Sequence, residues 1–92
     1  MRFMADVLPW ERQAGESAAA FRAFRRYVAL DPPLRTIRLS VGTPPGRRPP
    51  GCVERWAARH RWRERAALWD DEVYRIEDQQ RLQAVGRTTG RA

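Results

Sequence analysis

One histidine (His60), one cysteine (Cys52) and an acidic triplet (Asp70-Asp71-Glu72) are the groups in this chain that suggest proton transfer, nucleophilic attack or metal binding. None sits in a pattern that such work requires. Cys52 is alone, so neither an intrachain disulfide nor a cysteine metal cluster forms, and it has no histidine at useful spacing. His60 follows Val53, Trp56 and Ala57 on one apolar helical face, where a packed or capping imidazole outweighs a general base. Successive residues of a helix point about 100° apart, so the three acids diverge rather than converge on one magnesium ion and read as a solvated face. No glycine-rich phosphate loop precedes a helix. The reading is a non-catalytic protein with no cofactor and no metal.

The arginines are the stronger signal. All 18 cationic residues are arginine, none is lysine, and the net charge is +7. Arginine stays charged, grips phosphate through a planar fork and stacks on flat rings. Residues 1–69 carry 14 arginines against six acids, and residues 70–92 carry four against five. A basic front suits a polyanion and a near-neutral tail suits a protein partner; the bland alternative is a solvated basic surface. Arg47 and Arg48 lie in a loop by composition, and Arg55 and Arg59 are four apart on one helical face. Together they could meet phosphates and guanine edges, since arginine forms a bidentate pair with guanine. Such binding would weaken steeply with salt.

The elements that must position these groups fit one small domain, because 92 residues suffice for one core and not two. Residues 1–16 read as an extended arm broken by Pro9, with Trp10 folding back onto the core. Ser17 is a good N-cap. In "AAAFRAFRRYVAL" the residues Phe21, Phe24 and Val28 form an i, i+3, i+7 stripe flanked by Ala20 and Tyr27, with Arg22, Arg25 and Arg26 on the other side. Asp31-Pro32-Pro33 ends this helix. "LRTIRLSV" fits a helical face through Leu34, Ile37 and Val41 as well as a strand alternating through Ile37, Leu39 and Val41. "GTPPGRRPPG", residues 42–51, excludes helix and central strand and reads as a mobile, partly polyproline-like loop.

Helix resumes near Cys52, with Val53, Trp56, Ala57 and His60 inward and Arg55 and Arg59 outward. Beyond it, Trp62, Ala66, Trp69, Val73 and Ile76 are spaced 4, 3, 4, 3, a heptad-like seam that turns polar at Gln80 and Gln83. The closing "GRTTGRA" reads as frayed. No apolar run approaches the roughly 18 residues of a membrane span, and "MRFMADVLPW" is no secretory signal. An arginine- and tryptophan-rich helix could lie in a lipid interface, but core packing explains the tryptophans better.

Three stretches, "PWERQAGESAAAFRAFRRYVALDP", "RTIRLSV" and "VERWAARHRWRERAALWDDEV", resemble a family of short bacteriophage proteins. Many of these are described as small terminase subunits or helix-turn-helix DNA-binding proteins. The likeness covers roughly residues 9 to 75. It implies an all-α fold with a small helix-turn-helix-like domain, a longer C-terminal helix and flexible termini. Residues 34–41 would be the first helix of the motif. Val53 to about His60 would be the recognition helix in the major groove.

Arg55, Arg59 and Arg61, supported by Arg47 and Arg48, would then contact DNA. Phe21, Phe24, Val28, Val53, Trp56, Trp62, Trp69 and Val73 would form the scaffold. The resemblance implies double-stranded DNA and the large terminase subunit, an ATPase and nuclease, as partners. A homo-oligomer, the host cytoplasm as location and a role in viral genome packaging complete what it implies. Two departures stand against the pattern: the Pro–Gly–Arg loop replaces a short turn, and the chain stops soon after the seam.

The resulting organisation is an arm over 1–16, a helix-turn-helix-like DNA-binding domain over 17–61 with its loop at 42–51, a seam helix over 62–85 for oligomerisation or partner docking, and a tail over 86–92. The alternative is a small helical protein–protein adaptor without specific nucleic-acid binding.

Overall fold

The computed structural model describes the backbone of residues 7–89 and the side chains of residues 7–86. The first six residues of the expected arm and the last three of the tail lie outside the described residues. Four helices and no strand appear among the rest: α1 (Ala18–Ala29), α2 (Ile37–Ser40), α3 (Gly51–Arg59) and α4 (Trp62–Thr89). The fold is all-α. Of the ambiguous stretch 34–41 only Ile37–Ser40 is α-helix, the single turn of α2; Leu34 ends a 3-10 turn begun at Pro32, and Arg35 and Thr36 are extended, so the continuous helix over 34–41 that the resemblance implied does not form.

Local chemistry accounts for the boundaries. The Ser17 hydroxyl accepts from the Ala20 N–H at 3.1 Å and caps α1. Leu30, before Asp31-Pro32-Pro33, is already extended and closes that helix. Thr36 caps α2 in the same way, accepting from Leu39 N–H at 3.2 Å. The ten-residue connection from α2 to α3 contains a defined turn. Arg47 N–H donates to Pro44 O at 3.2 Å, with Pro45 and Gly46 at its centre. Gly46 has φ 80°, the left-handed value that the third position of a type II turn requires. Arg38 donates to Pro44 O at 2.9 Å and ties this turn back to α2.

Between α3 and α4 only His60 and Arg61 intervene. Arg61 has φ 53°, the one non-glycine residue with positive φ among those described. That left-handed step turns the chain out of α3 and starts α4 at Trp62.

The core lies where α1, α3 and α4 meet. Ala20, Ala23, Phe24, Tyr27, Val53, Trp62 and Ala66 are buried. Trp62 packs its ring 5.3 Å from Tyr27 and 6.0 Å from Phe24. Phe21, Val28 and Trp56 are half-buried against this cluster. Trp69 and Val73, further along the seam, are half-buried too, and Ile76 is exposed. The seam thus begins in the core and ends in solvent. The expected scaffold is apolar on the predicted faces, but Phe24, Val53 and Trp62 are its fully buried members.

Two expected boundaries differ. Residues 7–16 are not an extended arm: they form two successive turns, with Glu11 N–H bonded to Leu8 O and Glu16 N–H bonded to Gln13 O, both at 3.0 Å. Gly15, at φ 79°, occupies the left-handed position of the second turn and swings Glu16 into the core. The seam helix also passes residue 85 and continues to Thr89. Gln79, Gln80, Arg81, Leu82, Gln83 and Ala84 favour helix and no proline stops them. Its 28 residues extend about 42 Å at 1.5 Å per residue.

Candidate nucleic-acid interface

The arginines divide into those the fold uses and those it leaves free. Arg65 is the extreme of the first kind. Its side chain and that of Glu16 are both fully buried. All five of its N–H groups are taken. Nε donates to Pro9 O at 2.7 Å, Nη1 to Glu16 Oε2 at 2.9 Å and His60 O at 3.2 Å, and Nη2 to Glu11 O at 3.0 Å and Glu16 Oε1 at 3.2 Å. The guanidinium lies 3.9 Å above the Phe24 ring. Glu16 Oε1 takes a further bond from Gln13 N–H at 3.0 Å. A buried charge is tolerable only when paired and fully bonded, and this one is.

Arg35 is the second structural arginine. It forms a bidentate pair with Asp70 at 2.7 and 2.9 Å and donates to Val28 O and Leu30 O at 3.0 and 3.1 Å. The hydrogen bonds it donates to Asp70 hold its pKa above the ordinary arginine value against an opposing effect of burial. The pair fastens the segment before α2 to the third turn of α4. Asp70 and Glu72 therefore serve different arginines, Arg35 and Arg75, in line with the diverging acids expected from the sequence. Arg75 lowers the Glu72 carboxyl below its usual range through their hydrogen bond.

The sequence-predicted contact residues fall elsewhere. Arg47 and Arg48 follow the Pro45–Gly46 turn, and Arg55 and Arg59 lie one turn apart on α3, about 6 Å along its axis. All four are exposed. Among the described residues none of these four guanidiniums is in an ion pair or hydrogen bond. Val53 is buried on the opposite side of α3 and Trp56 is half-buried, so guanidiniums and core occupy separate faces. Arg61 differs: it holds the left-handed turn and meets Glu64 at 3.6 Å. That pair is half exposed and weak, so Arg61 remains at the edge of the basic face but its backbone has a structural task.

Sequence reasoning missed the Arg65–Glu16 and Arg35–Asp70 pairs. A signal for the first was present. Arg65 lies three residues after Trp62 and four before Trp69, which places it on the inward face. His60 contributes its backbone carbonyl to Arg65 and caps α3. Neither role draws on proton transfer by the ring.

The free arginines on the loop and α3 can neutralise phosphates and reach base edges. α3, nine residues long, spans about 14 Å, comparable with the roughly 12 Å width of a major groove. No helix among the described residues is long and apolar enough to cross a membrane. Compared with known proteins, the chain matches no family model, no curated protein and no solved structure.

Proposed function

We propose that the chain is a non-catalytic double-stranded DNA-binding protein that presents α3 to the major groove and the Pro–Gly–Arg turn to the adjacent backbone. The observation carrying this reading is the partition of charge: Arg47, Arg48, Arg55 and Arg59 are exposed and unpaired among the described residues, while Arg35 and Arg65 are consumed by the fold. A guanidinium without a carboxylate keeps its full capacity for phosphate. The sequence resemblance to small terminase subunits extends the proposal to marking viral DNA for packaging by a large ATPase–nuclease subunit. The element order supports a helix-turn-helix-like arrangement, with a ten-residue connection in place of the usual three- or four-residue turn.

A mobility-shift titration of duplex DNA across salt tests the proposal. Removing two phosphate contacts lowers the salt slope by about 1.8, so Arg55→Ala/Arg59→Ala should bind more weakly and with a shallower slope. Unchanged binding in that double variant refutes the α3 assignment. A second reading, a helical adaptor, is favoured by Tyr74, Leu82 and Val85, each more than half exposed on α4. Absence of duplex binding at low salt would leave that reading in place.

A further inference from the structure

Residues 10–12, α1 and α4 border an open cleft of about 510 Å³ whose walls combine indole and phenyl rings with arginine. Trp10, Phe21, Val28 and Trp69 supply the apolar lining, and Arg12 and Arg25 stand at its polar side. The Trp10 and Trp69 rings are 5.4 Å apart and inclined at 59°, so the pair forms an angled wall, not a closed stack. Trp10, Phe21 and Trp69 are each half-buried, part of their surface facing out. Arg25 continues into an exposed stripe with Arg22 and Arg26 along the outer side of α1. Among the described residues this stripe has no ion pair. Glu11 also lines the cleft, leaving the lining cationic by one charge before Arg22 and Arg26 are added.

We propose that this cleft binds one unstacked nucleotide of a single-stranded nucleic acid. The base lies against the Trp10–Trp69 wall, and the flanking phosphates lie on Arg25 and the α1 stripe. Size, ring content and charge agree. Ligand sites of about 300–1,000 Å³ lined by aromatics and a few polar groups are typical, and an aromatic platform beside a cationic track is how single strands are held without sequence preference. A duplex hides the faces of its bases, so it cannot use the indoles. The site is separate from the α3 face and does not depend on it.

The test is titration of the full chain with a labelled twelve-residue oligothymidylate, read by anisotropy and by tryptophan quenching. Binding should quench tryptophan emission. Trp10→Ala should weaken binding by about 5- to 150-fold, the range of one base–aromatic stack. Arg25→Ala, an exposed substitution that spares the core, should lower the salt slope by about 0.7. Arg55→Ala/Arg59→Ala should leave single-strand binding intact while weakening duplex binding, so the two sites fail separately. The proposal is overturned if the oligonucleotide does not quench the wild-type chain, or if Arg25→Ala leaves both affinity and slope unchanged. Unaltered affinity in a Trp10→Ala chain with wild-type helicity overturns it equally.

Discussion

Replacing Arg65 with alanine should cost more stability than any surface arginine can. The side chain is fully buried, its five donors meet five oxygens, and its partner Glu16 is buried with it. Alanine leaves the Glu16 carboxylate with the single N–H of Gln13 and strips a bond from the carbonyls of Pro9, Glu11 and His60. Removing one partner of a buried pair costs about 3–5 kcal/mol. A domain of this length holds roughly 5–14 kcal/mol in all, at about 0.05–0.15 kcal/mol per residue. At about 4–8 °C per kcal/mol for a small domain, Tm should fall by roughly 12–40 °C.

Circular dichroism at 222 nm measures the melt, and limited trypsinolysis at Arg12 reports release of the clasp formed by residues 7–16. The double variant Glu16→Leu/Arg65→Met removes both charges and should lose less than the sum of Glu16→Leu and Arg65→Met, by about 2 kcal/mol or more, because neither charge is left stranded. A melt within about 4 °C of wild type for Arg65→Ala, or strict additivity in the cycle, refutes the account of a fully satisfied buried pair holding the clasp.

Two further outcomes follow from local geometry. Arg61→Gly should raise stability by about 0.5–1 kcal/mol, because glycine relieves a left-handed cost of about 1–2 kcal/mol and returns part of it as unfolded-state entropy; a higher Tm in a thermal melt checks this. Glu72 has its carboxyl lowered by Arg75, so the stability it adds is present above the ordinary carboxylate pKa and lost as pH falls through the lowered value. The pair is exposed and easily screened, so Glu72→Gln should flatten the acid limb of a pH–Tm profile slightly at low salt and not at all in 1 M salt.

The local half of this fold was legible and the long-range half was not. Ser17, the Phe21–Phe24–Val28 stripe and the Pro32-Pro33 stop rest on neighbours within a few residues, where helical periodicity and capping chemistry operate. The separation of Arg55 and Arg59 from Val53 is of the same kind. Arg65 with Glu16 and Arg35 with Asp70 join positions 49 and 35 apart. No periodicity connects such residues, and arginine's usual place in solvent argues against burial. The turns of residues 7–16 are closed by local bonds, Glu11 N–H to Leu8 O and Glu16 N–H to Gln13 O, but what docks them on α4 is long-range, through the carbonyls of Pro9 and Glu11 that Arg65 collects. The "PWERQAGES" and "WRERA" stretches gain a physical meaning from this contact, since Pro9, Glu11 and Glu16 in one and Arg65 in the other make up a single hydrogen-bonded unit.

The same contact bears on how α3 is aimed. In a helix-turn-helix with a tight turn, the preceding helix fixes the recognition helix through that turn. Here α2 is one turn long and the connection has ten residues, so little orientation can come from that side. The C-terminal side is far stiffer. Two residues join α3 to α4, Arg61 takes a left-handed turn between them, His60 O is bound to the Arg65 guanidinium, and Val53 and Trp62 share the core. The exposed face of α3 is therefore held by α4 and by the clasp of residues 7–16, while the Pro–Gly–Arg turn, tied to α2 through Arg38, carries Arg47 and Arg48 exposed. A long loop at this place does not loosen α3, because the contacts that hold it come from α4 and from the clasp of residues 7–16, not from the loop.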